Sequence, residues 1–316
     1  MAKFLVTGGA GFIGSNIVKE LLSRYEHVRV LDNFSTGKRE NILPFIDNDH
    51  LELFEGDVRS FHIVRDAVKG CDFVLHQAAL PSVQRSINDP ITTNDVNVSG
   101  TLNILEASRE FGVKRVVLAT SSSIYGNSDI LPKVETMAVS PLSPYALSKY
   151  SAERYCQIYS SIYKTETVCL RYFNVFGENQ DPTSQYSAVI PKFINLMIEN
   201  KKPTIFGTGL QSRDFTYVKN VVSANLRACK TPEAVGQVFN IASGKSYSLL
   251  DMVDFINKKL NKSIEPIFKE ARKGDVLHSL ADISKAEKYL DYQPEYDFET
   301  GLNNVIDAFI KRGENE

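Results

Sequence analysis

The sequence predicts an α/β fold in which a doubly wound parallel sheet carries helices on both faces and a smaller C-terminal domain is interleaved with it. In the first half of the chain, short β-branched runs alternate with longer helical patterns. A glycine-rich segment directly follows the first strand, and the alternation gives way to a polar loop after residue 175. Strands that alternate with helices at this pitch form right-handed βαβ units, whose strands lie parallel in one sheet.

The predicted elements follow one another closely through the first 171 residues. Strands are expected at 3–7, 28–32, 73–77, 116–119 and 167–171, and helices at 13–23, 62–68, 98–111 and 144–163. The segment 176–187 is rich in Gly, Asn, Gln, Asp, Pro and Ser, which favours a loop that leaves the sheet. A helix at 218–231 and a strand at 238–241 are expected to return to it. We therefore predict a nucleotide-binding domain at 1–173 with returning segments at about 217–242, and a mainly substrate-binding domain at 174–316.

Composition excludes several classes of protein. Hydrophobic residues make up 43% and charged residues 23% of the 316 residues, as in ordinary globular domains. The 36 basic and 38 acidic residues form no basic cluster, so a nucleic-acid groove is not expected. No apolar stretch approaches the length of a membrane span, and the first strand is too short for a signal peptide. The four cysteines and five histidines show no metal-ligand spacing. A cytoplasmic protein without a metal, nucleic-acid or membrane partner is predicted.

A glycine-rich loop joins the first strand to the first helix. Its residues include Gly8, Gly11, Phe12, Ile13 and Gly14. Glycine at this spacing permits a tight turn, lets backbone N–H groups approach a pyrophosphate and allows close packing of helix on strand. The helix N-terminus then favours the anion. The pattern is typical of the Rossmann-type dinucleotide-binding fold.

The end of the second strand indicates which dinucleotide is bound. Asp32 can accept hydrogen bonds from both adenosine ribose hydroxyls and would repel a 2′-phosphate, so NAD is favoured over NADP. Arg29, Lys38 and Arg39 lie close in sequence and are interpreted as solvated surface charges rather than 2′-phosphate ligands.

Two later segments fit the same cofactor cleft. Asp57-Val58 is expected near the adenine edge, and Gln77-Ala78-Ala79 ends a strand with small residues where the pyrophosphate or the nicotinamide ribose needs room. Each segment taken alone also fits a purely structural role.

A tyrosine and a lysine form the candidate catalytic pair. Tyr145 and Lys149 are four residues apart, which places them on one face of a helix. An ammonium group nearby stabilises a phenolate, so Lys149 is expected to lower the pKa of Tyr145 and make it a general base. The serine-rich segment 120–126 follows an apolar strand and should emerge at the carboxyl end of the sheet, where α/β proteins bind ligands. A serine of this segment can bridge a substrate hydroxyl and Tyr145.

At these positions the sequence resembles the extended short-chain dehydrogenase/reductase family. It is most similar to the UDP-hexose 4-epimerases, and among them to those acting on UDP-N-acetylglucosamine. The resemblance spans the chain and is carried by 8–14, 57–58, 76–79, 120–126, 143–145 with Lys149, 171–177, 213–215 and 272–275. It implies a 4-epimerase that oxidises a UDP-sugar at C4 with bound NAD, lets the keto-sugar turn over and returns the hydride to the opposite face.

The resemblance also assigns roles to individual residues. Ser121, Tyr145 and Lys149 are the implied catalytic set. Further implied cofactor ligands are Asn33, Ser35, Thr36, Gly37, Asn97, Thr120, Tyr172 and Val175, together with Tyr145 and Lys149 of the catalytic set. The implied substrate residues are Ser82, Ser121, Ser122, Ser123, Tyr145, Asn174, Val189, Lys192, Arg213, Arg272, Asp275 and Ser279. Among them, Arg213 and Arg272 would neutralise the phosphates, to which guanidinium groups are well suited.

Position 279 bears on the choice of sugar. In the family this position borders the hexose, where a tyrosine confines some members to unacetylated sugars. The small Ser279 implies room for an N-acetyl group, and so the use of UDP-N-acetylglucosamine and UDP-N-acetylgalactosamine beside UDP-glucose and UDP-galactose. The family further implies a homodimer built on helices near 98–111 and 145–163.

Three alternatives stay open at this point. A nucleotide-sugar 4,6-dehydratase begins with the same oxidation but needs a carboxylic acid after the catalytic serine, where this chain has Ser122 and Ser123. A decarboxylase of the same family usually carries a glutamate there. A catalytically idle NAD-binding protein would have no use for the Ser121, Tyr145 and Lys149 set.

Overall fold

The computed structural model describes residues 1–181, 189–271 and 277–313. The strands are β1 Lys3–Thr7, β2 His27–Asp32, β3 Leu51–Glu55, β4 Phe73–His76, β5 Arg115–Ser121, β6 Thr167–Tyr172, β7 Val175–Phe176, β8 Thr204–Phe206, β9 Ser212–Arg213, β10 Thr216–Tyr217, β11 Val238–Ile241, β12 Tyr247–Ser248 and β13 Ile267–Lys269. The helices are α1 Phe12–Ser23, α2 Phe61–Val68, α3 Val83–Asn88, α4 Pro90–Asn94, α5 Gly100–Phe111, α6 Pro144–Tyr163, α7 Val189–Ile198, α8 Val218–Lys230, α9 Leu249–Leu260, α10 Ser284–Leu290 and α11 Phe298–Gly313.

Seven strands form one sheet in the order β11-β6-β5-β4-β1-β2-β3. Every neighbouring pair in this sheet is parallel. The chain winds outward in both directions from β1 and β4, so the strand order reverses between these two strands. A crevice at the carboxyl ends of the strands at such a switch point is where open α/β sheets bind ligands. The predicted doubly wound parallel sheet is confirmed.

Two apolar layers cover the faces of the sheet. On one face, buried residues of α1 and α8 pack against β1, β2 and β6. On the other face, α2, α5 and α6 pack against β4, β5 and the opposite sides of β1, β2 and β6. Because both faces are buried, the central strands have few polar residues along their length, which is why the sequence reveals them as continuous apolar runs.

Two of the differences between the predicted and the observed elements concern β3 and α5. Strand β3 was not expected, because its alternating sequence Leu51-Glu52-Leu53-Phe54-Glu55 belongs to an edge strand with glutamates facing outward. The helix expected at 98–111 is the last part of a longer helical run that begins at Pro90 and includes a π-helical segment, Asp95–Ser99. A π-helical insertion of this kind is often found at functional sites.

The C-terminal part has its own apolar cluster, formed mainly by α7, α9 and α11 with the aromatic residues that follow β6. Its strands form two-stranded pairs: β7 with β10, β8 with β13, and β9 with β12. Between these pairs the chain returns to the large sheet, since α8 packs beside α1 and β11 pairs with β6. Helix α10 also packs against β11 and α8.

Candidate active site

A cavity of about 430 Å³ lies at the carboxyl ends of the central strands. Residues assigned from the sequence to the cofactor make up most of its wall: Gly8, Gly11, Phe12, Ile13, Gly14, Asp32, Asn33, Ser35, Thr36, Gly37, Asp57, Val58, Gln77, Ala78, Ala79, Thr120, Tyr145, Lys149 and Tyr172. Segments more than a hundred residues apart in sequence therefore meet at the switch point of the sheet.

The glycine loop is closely packed. Gly8 has a left-handed backbone with φ of 67°, and a Cβ there would lie 2.8 Å from the backbone of Ala78. A Cβ on Gly14 would lie 2.1 Å from the carbonyl oxygen of Gly8. Helix α1 begins after Gly11 with neither a side-chain cap nor an acidic residue in its first turn. Its N-terminus therefore suits the pyrophosphate of a dinucleotide.

The carboxylate of Asp32 is oriented by two backbone N–H groups. Its Oδ2 accepts from Ala10 N at 2.9 Å, and its Oδ1 accepts from Phe34 N at 2.8 Å. Burial raises the pKa of Asp32, and the backbone hydrogen bonds from Phe34, Ala10 and Asn33 oppose that rise. The glycine loop and Asp32 together fit an adenosine ribose with free hydroxyls, as NAD has.

The three neighbouring cations have different environments. Lys38 and Arg39 are exposed and pair with Asp181 and Glu55. The interpretation of Arg29 as a solvated surface charge was wrong, because its side chain is buried. Its guanidinium donates to carbonyl groups at the end of α2 and pairs with Glu52 at 2.9 Å. Since strands of a parallel sheet are covered on both faces, even a charged residue in β2 must find partners inside.

The catalytic pair lies on the first two turns of α6. Ser143 caps this helix by accepting from Ala146 N, and Pro144 occupies its first position. Lys149 is 5% exposed, and its Nζ donates to Ala119 O at 3.1 Å. Ser121 ends the neighbouring strand β5, and its hydroxyl is hydrogen-bonded to Tyr145. The predicted set Ser121, Tyr145 and Lys149 thus lies together where β5 and α6 meet.

The electrostatics of this set differ from the prediction. Burial raises the pKa of Tyr145, and the hydrogen bond with Ser121 opposes the rise. Burial lowers the pKa of Lys149 to about 8. The expectation that Lys149 lowers the pKa of Tyr145 was wrong for this state of the protein, because desolvation of the phenol dominates and the ammonium contacts a carbonyl.

Asn97 and Val175, both assigned to the cofactor, do not line the cavity. Asn97 is buried in the π-helical segment, where its Oδ1 accepts from Leu80 N at 2.8 Å and its Nδ2 donates to Ser148 Oγ at 3.0 Å. Ser148 in turn donates to Tyr145 O at 2.8 Å. Asn97 therefore connects the loop after β4 to the turn of α6 that carries Tyr145.

Three of the predicted substrate residues lie close together. Asn174, which lies between β6 and β7, donates through Nδ2 to Asp214 O at 3.0 Å and to Ser279 Oγ at 3.5 Å. Arg213 donates to Leu277 O at 3.1 Å, and Ser279 N donates to Ser212 O at 3.0 Å. Residues 40 to 105 positions apart are thus brought to one place beyond the end of β6.

The remaining substrate residues have varied positions. Ser82 lines the cavity. Ser123 donates through its hydroxyl to Ser121 Oγ at 2.9 Å, and Ser122 follows Ser121 in the same turn. Val189 and Lys192 lie in the first turn of α7, outside the cavity. Arg272 and Asp275 lie outside the described residues.

Sequence reasoning missed several residues of the cavity wall. They are Leu31, Gly56, Leu80, Pro81, Arg85, Val96, Ala119, Gln180 and Asp181. Most of them are neighbours of residues that were assigned. Gln180 and Asp181 belong to the loop after β7, and no local motif links that loop to the first βα turn.

Metal-binding clusters and membrane-spanning helices are both absent from the described part of the chain. Within residues 1–181, 189–271 and 277–313, no group of three His, Cys, Asp or Glu side chains is placed to hold a metal ion. None of the helices in those ranges is long and apolar enough to cross a membrane.

A dinucleotide cavity at the switch point of a parallel sheet, with a tyrosine and a lysine on one helix beside it, defines a short-chain dehydrogenase/reductase type of protein. Comparison with known proteins is more specific. The chain belongs to the NAD dependent epimerase/dehydratase family, whose sequence model matches residues 4–242. This confirms the resemblance inferred from the motifs.

Three relatives illustrate the similarity. A putative UDP-glucose 4-epimerase from Methanocaldococcus jannaschii is 40% identical, over 96% of both chains. The structure of a UDP-N-acetylglucosamine 4-epimerase from Methanobrevibacter ruminantium, in complex with UDP-N-acetylmuramic acid, has a TM-score of 0.93, is 37% identical, and covers 98% of this chain and 99% of that one. A UDP-glucose 4-epimerase from Thermus thermophilus, in complex with NAD, has a TM-score of 0.87, is 33% identical, and has the same coverage.

Proposed function

We propose that this protein is an NAD-dependent UDP-hexose 4-epimerase, an isomerase whose substrate passes through a transient 4-keto-sugar. The proposal depends on one observation. Ser121, Tyr145 and Lys149 lie together beside the cavity that Asp32 also lines. The names of the similar proteins, which include UDP-sugar 4-epimerases, support it.

The chain's own residues supply the proton chemistry. Tyr145 accepts the proton of the 4-hydroxyl, and Ser121, already hydrogen-bonded to Tyr145, holds that hydroxyl in reach. Lys149, fixed against Ala119 O, lines the same cavity as Tyr145. NAD, which the glycine loop and Asp32 would hold, would supply the acceptor and donor of the C4 hydride, and its nicotinamide charge would favour the phenolate.

The alternatives within the family are less well supported. A 4,6-dehydratase needs a carboxylic acid just after the catalytic serine, but the turn Ser122–Tyr125 contains none. The same absence disfavours a decarboxylase that relies on a glutamate in that turn. A non-catalytic NAD-binding protein is disfavoured by the buried lysine, because burying an ammonium group has an energetic cost that a binding module need not bear.

We propose that the sugar site accepts 2-acetamido sugars. Ser279 is half-buried and lies 3.5 Å from Nδ2 of Asn174, and its hydroxyl fills far less volume than a phenol ring. A large side chain at this place would occupy space beside Asn174. The proposed substrates are UDP-N-acetylglucosamine and UDP-N-acetylgalactosamine, with UDP-glucose and UDP-galactose.

The variant Ser279→Tyr tests whether the size of residue 279 decides which sugars are accepted. We expect the variant to lose turnover of the two acetylated sugars while UDP-glucose and UDP-galactose are still interconverted, because a steric block rejects only the larger substrate. Ser279→Ala is the matched control and should keep all four activities. Equal slowing of all four sugars by Ser279→Tyr would contradict the role of residue 279 in selecting the sugar.

We also propose the division of the chain into a cofactor domain, residues 1–173 with returning segments at about 217–242, and a mainly substrate-binding domain, 174–316. Support comes from α8 and β11, which pack on and pair with the large sheet, and from the separate apolar cluster of α7, α9 and α11. The loop containing Asn174 would then connect the two domains.

A cytoplasmic homodimer is the proposed assembly. Exposed apolar side chains lie on α6, one of the two helices expected at the interface, and on the adjacent α3 and α4 rather than on α5, the other expected helix: Ile87, Ile91, Leu147, Ile158 and Ile162. These helices contact one another, so the residues can contribute to one apolar surface. Four free, buried cysteines suit a reducing compartment. Analytical ultracentrifugation of wild type and Ile162→Glu tests the dimer, and a wild-type monomer at micromolar concentration would contradict it.

The catalytic proposal is tested by supplying each of the four UDP-hexoses without added cofactor and separating the C4 epimers by chromatography. Each sugar should yield a mixture with its own epimer. A 4-keto-6-deoxy product would instead identify a dehydratase, and loss of carbon dioxide from UDP-glucuronate would identify a decarboxylase.

A further inference from the structure

The loop after β7 runs across the start of α1. Asn16 donates through Nδ2 to Glu178 O at 2.9 Å, and Asn179 donates through Nδ2 to Ser15 Oγ at 3.0 Å. Tyr217 donates to Glu178 Oε1 at 2.5 Å. These contacts hold residues 178–181, which we call the strap, against the helix whose N-terminus faces the cavity.

The strap contributes to the wall of the cofactor cavity. Gln180 and Asp181 line the same cavity as the glycine loop, Asp32 and Gly37. Nε2 of Gln180 donates to Val175 O at 3.3 Å, whereas its Oε1 is buried and has no hydrogen-bond partner. A buried acceptor without a partner is costly, so a ligand that donates to it gains affinity. NAD carries such donors in its ribose hydroxyls, adenine amino group and carboxamide.

An ion pair joins the strap to the loop that follows β2. Nζ of Lys38 lies 2.9 Å from Oδ2 of Asp181. Lys38 directly follows Gly37 in the loop that carries Asp32, and its backbone N–H donates to Ala10 O at 3.0 Å. The ion pair thus links the loop after β2 to the loop after β7. One belongs to the large sheet and the other leads into the C-terminal part.

We propose that residues 178–181 retain the cofactor, with Gln180 accepting a hydrogen bond from bound NAD and the Lys38–Asp181 ion pair fastening the strap. The proposal rests on the cofactor of the proposed function, but on neither the sugar nor the reaction. An epimerase that regenerates NAD in every cycle gains from slow release, and this device would provide it.

The test measures release of the cofactor, not turnover. The protein is freed of cofactor, loaded with NADH and mixed with excess NAD, and the loss of bound-NADH fluorescence gives the dissociation rate. Gln180→Leu should release NADH roughly twofold to tenfold faster, as expected for one lost hydrogen bond. Lys38→Met and Asp181→Asn should each accelerate release roughly twofold to fivefold, as expected for an exposed ion pair.

Matched variants distinguish the ion pair of the strap from a general change of charge near the cavity. Arg39→Met removes a cation from the same loop and breaks the exposed pair with Glu55, and it should leave the rate unchanged. The exchange Lys38→Asp with Asp181→Lys should restore slow release. If Asp181→Asn has no effect or slows release while Lys38→Met accelerates it, Lys38 acts directly on the cofactor and the ion-pair role is overturned. An unchanged rate in Gln180→Leu would overturn the assignment of Gln180. A lack of epimerase activity would not alter either result.

Discussion

The two halves of the site are built differently. The cofactor half lies on the ends of a seven-stranded sheet, where Asp32 is 7% and Lys149 is 5% exposed. The proposed sugar half consists of Asn174, of Arg213 on a two-residue strand, and of Ser279 outside regular structure, and all three are only half-buried. A long parallel sheet fixes its side chains through packing on both faces, whereas short strand pairs depend on a few hydrogen bonds.

This difference suits the proposed reaction. Hydride transfer in both directions requires a cofactor and a proton acceptor that stay in place. The keto-sugar, in contrast, must turn over between the two transfers, so few strong contacts should hold the hexose itself. Binding energy is then concentrated on the nucleotide and phosphates, far from the reacting carbon.

The largest effect is expected from Tyr145→Phe. Removing the phenolic oxygen should lower turnover by about a hundred- to ten-thousand-fold, the usual contribution of a general base. UDP affinity should be unchanged, because Tyr145 is not among the proposed phosphate ligands, and NAD should remain bound, because phenylalanine keeps the ring that lines the cavity. Steady-state kinetics, calorimetry with UDP and denaturing extraction of NAD measure the three quantities. Near-normal turnover would remove Tyr145 from the mechanism.

A buried ion pair between the sheet and α6 tests the rigidity of the cofactor half. Arg171 in β6 and Glu153 in α6, one turn beyond Lys149, pair at 2.7 Å with side chains 5% and 1% exposed. Arg171→Leu should destabilise the protein by about 3–5 kcal/mol, because Glu153 is left buried and unpaired. Urea unfolding gives the free energy of unfolding.

Two controls accompany this variant. Lys201→Met, which breaks an exposed pair with Glu199, should cost under about 1 kcal/mol. Adding Glu153→Leu to Arg171→Leu should recover part of the loss, since the unpaired charge is then gone. If Arg171→Leu lowers the free energy of unfolding no more than Lys201→Met does, the cofactor half does not have the tightly packed interior described above.

A smaller effect, with a size that depends on pH, is expected at Lys149. Its folded-state pKa of about 8 lies below the unfolded value of roughly 10.4, so between these pH values the unfolded chain binds more protons. Stability from this group therefore rises with pH across that window. Lys149→Met should be inactive yet more stable than wild type at pH 7, and the difference should shrink by pH 10. Thermal unfolding after removal of NAD measures it, and a constant difference across the window would contradict the assigned pKa shift.

Much of the cofactor half could be predicted because its motifs are local. The glycine loop, Asp32 and the Tyr145/Lys149 spacing each report a conformation fixed within a few residues. Arg29 was misinterpreted because its partners, the carbonyls at the end of α2, are some forty residues away. Gln180 and Asp181 were missed for the same reason, since only the folded chain brings the loop after β7 to the first helix.

The sugar half was accessible mainly through resemblance to a family. Asn174, Arg213 and Ser279 share no spacing that predicts their proximity, and it is the backbone of residues 212–214 and 277 that gathers them. The raised pKa of Tyr145 could not be predicted from the sequence either, because it depends on how far the folded protein desolvates the phenol.

The central claim, that the hydride leaves C4 and returns to the same carbon through a cofactor that stays bound, is tested most directly by isotope. UDP-glucose carrying deuterium at C4 is incubated with the purified protein in ordinary water, and the galactose epimer is isolated for mass spectrometry and NMR. We expect the deuterium to be retained at C4 of the product with no NAD added. An epimer that has lost the label to solvent, or an absence of epimer with any UDP-hexose, would contradict the claim.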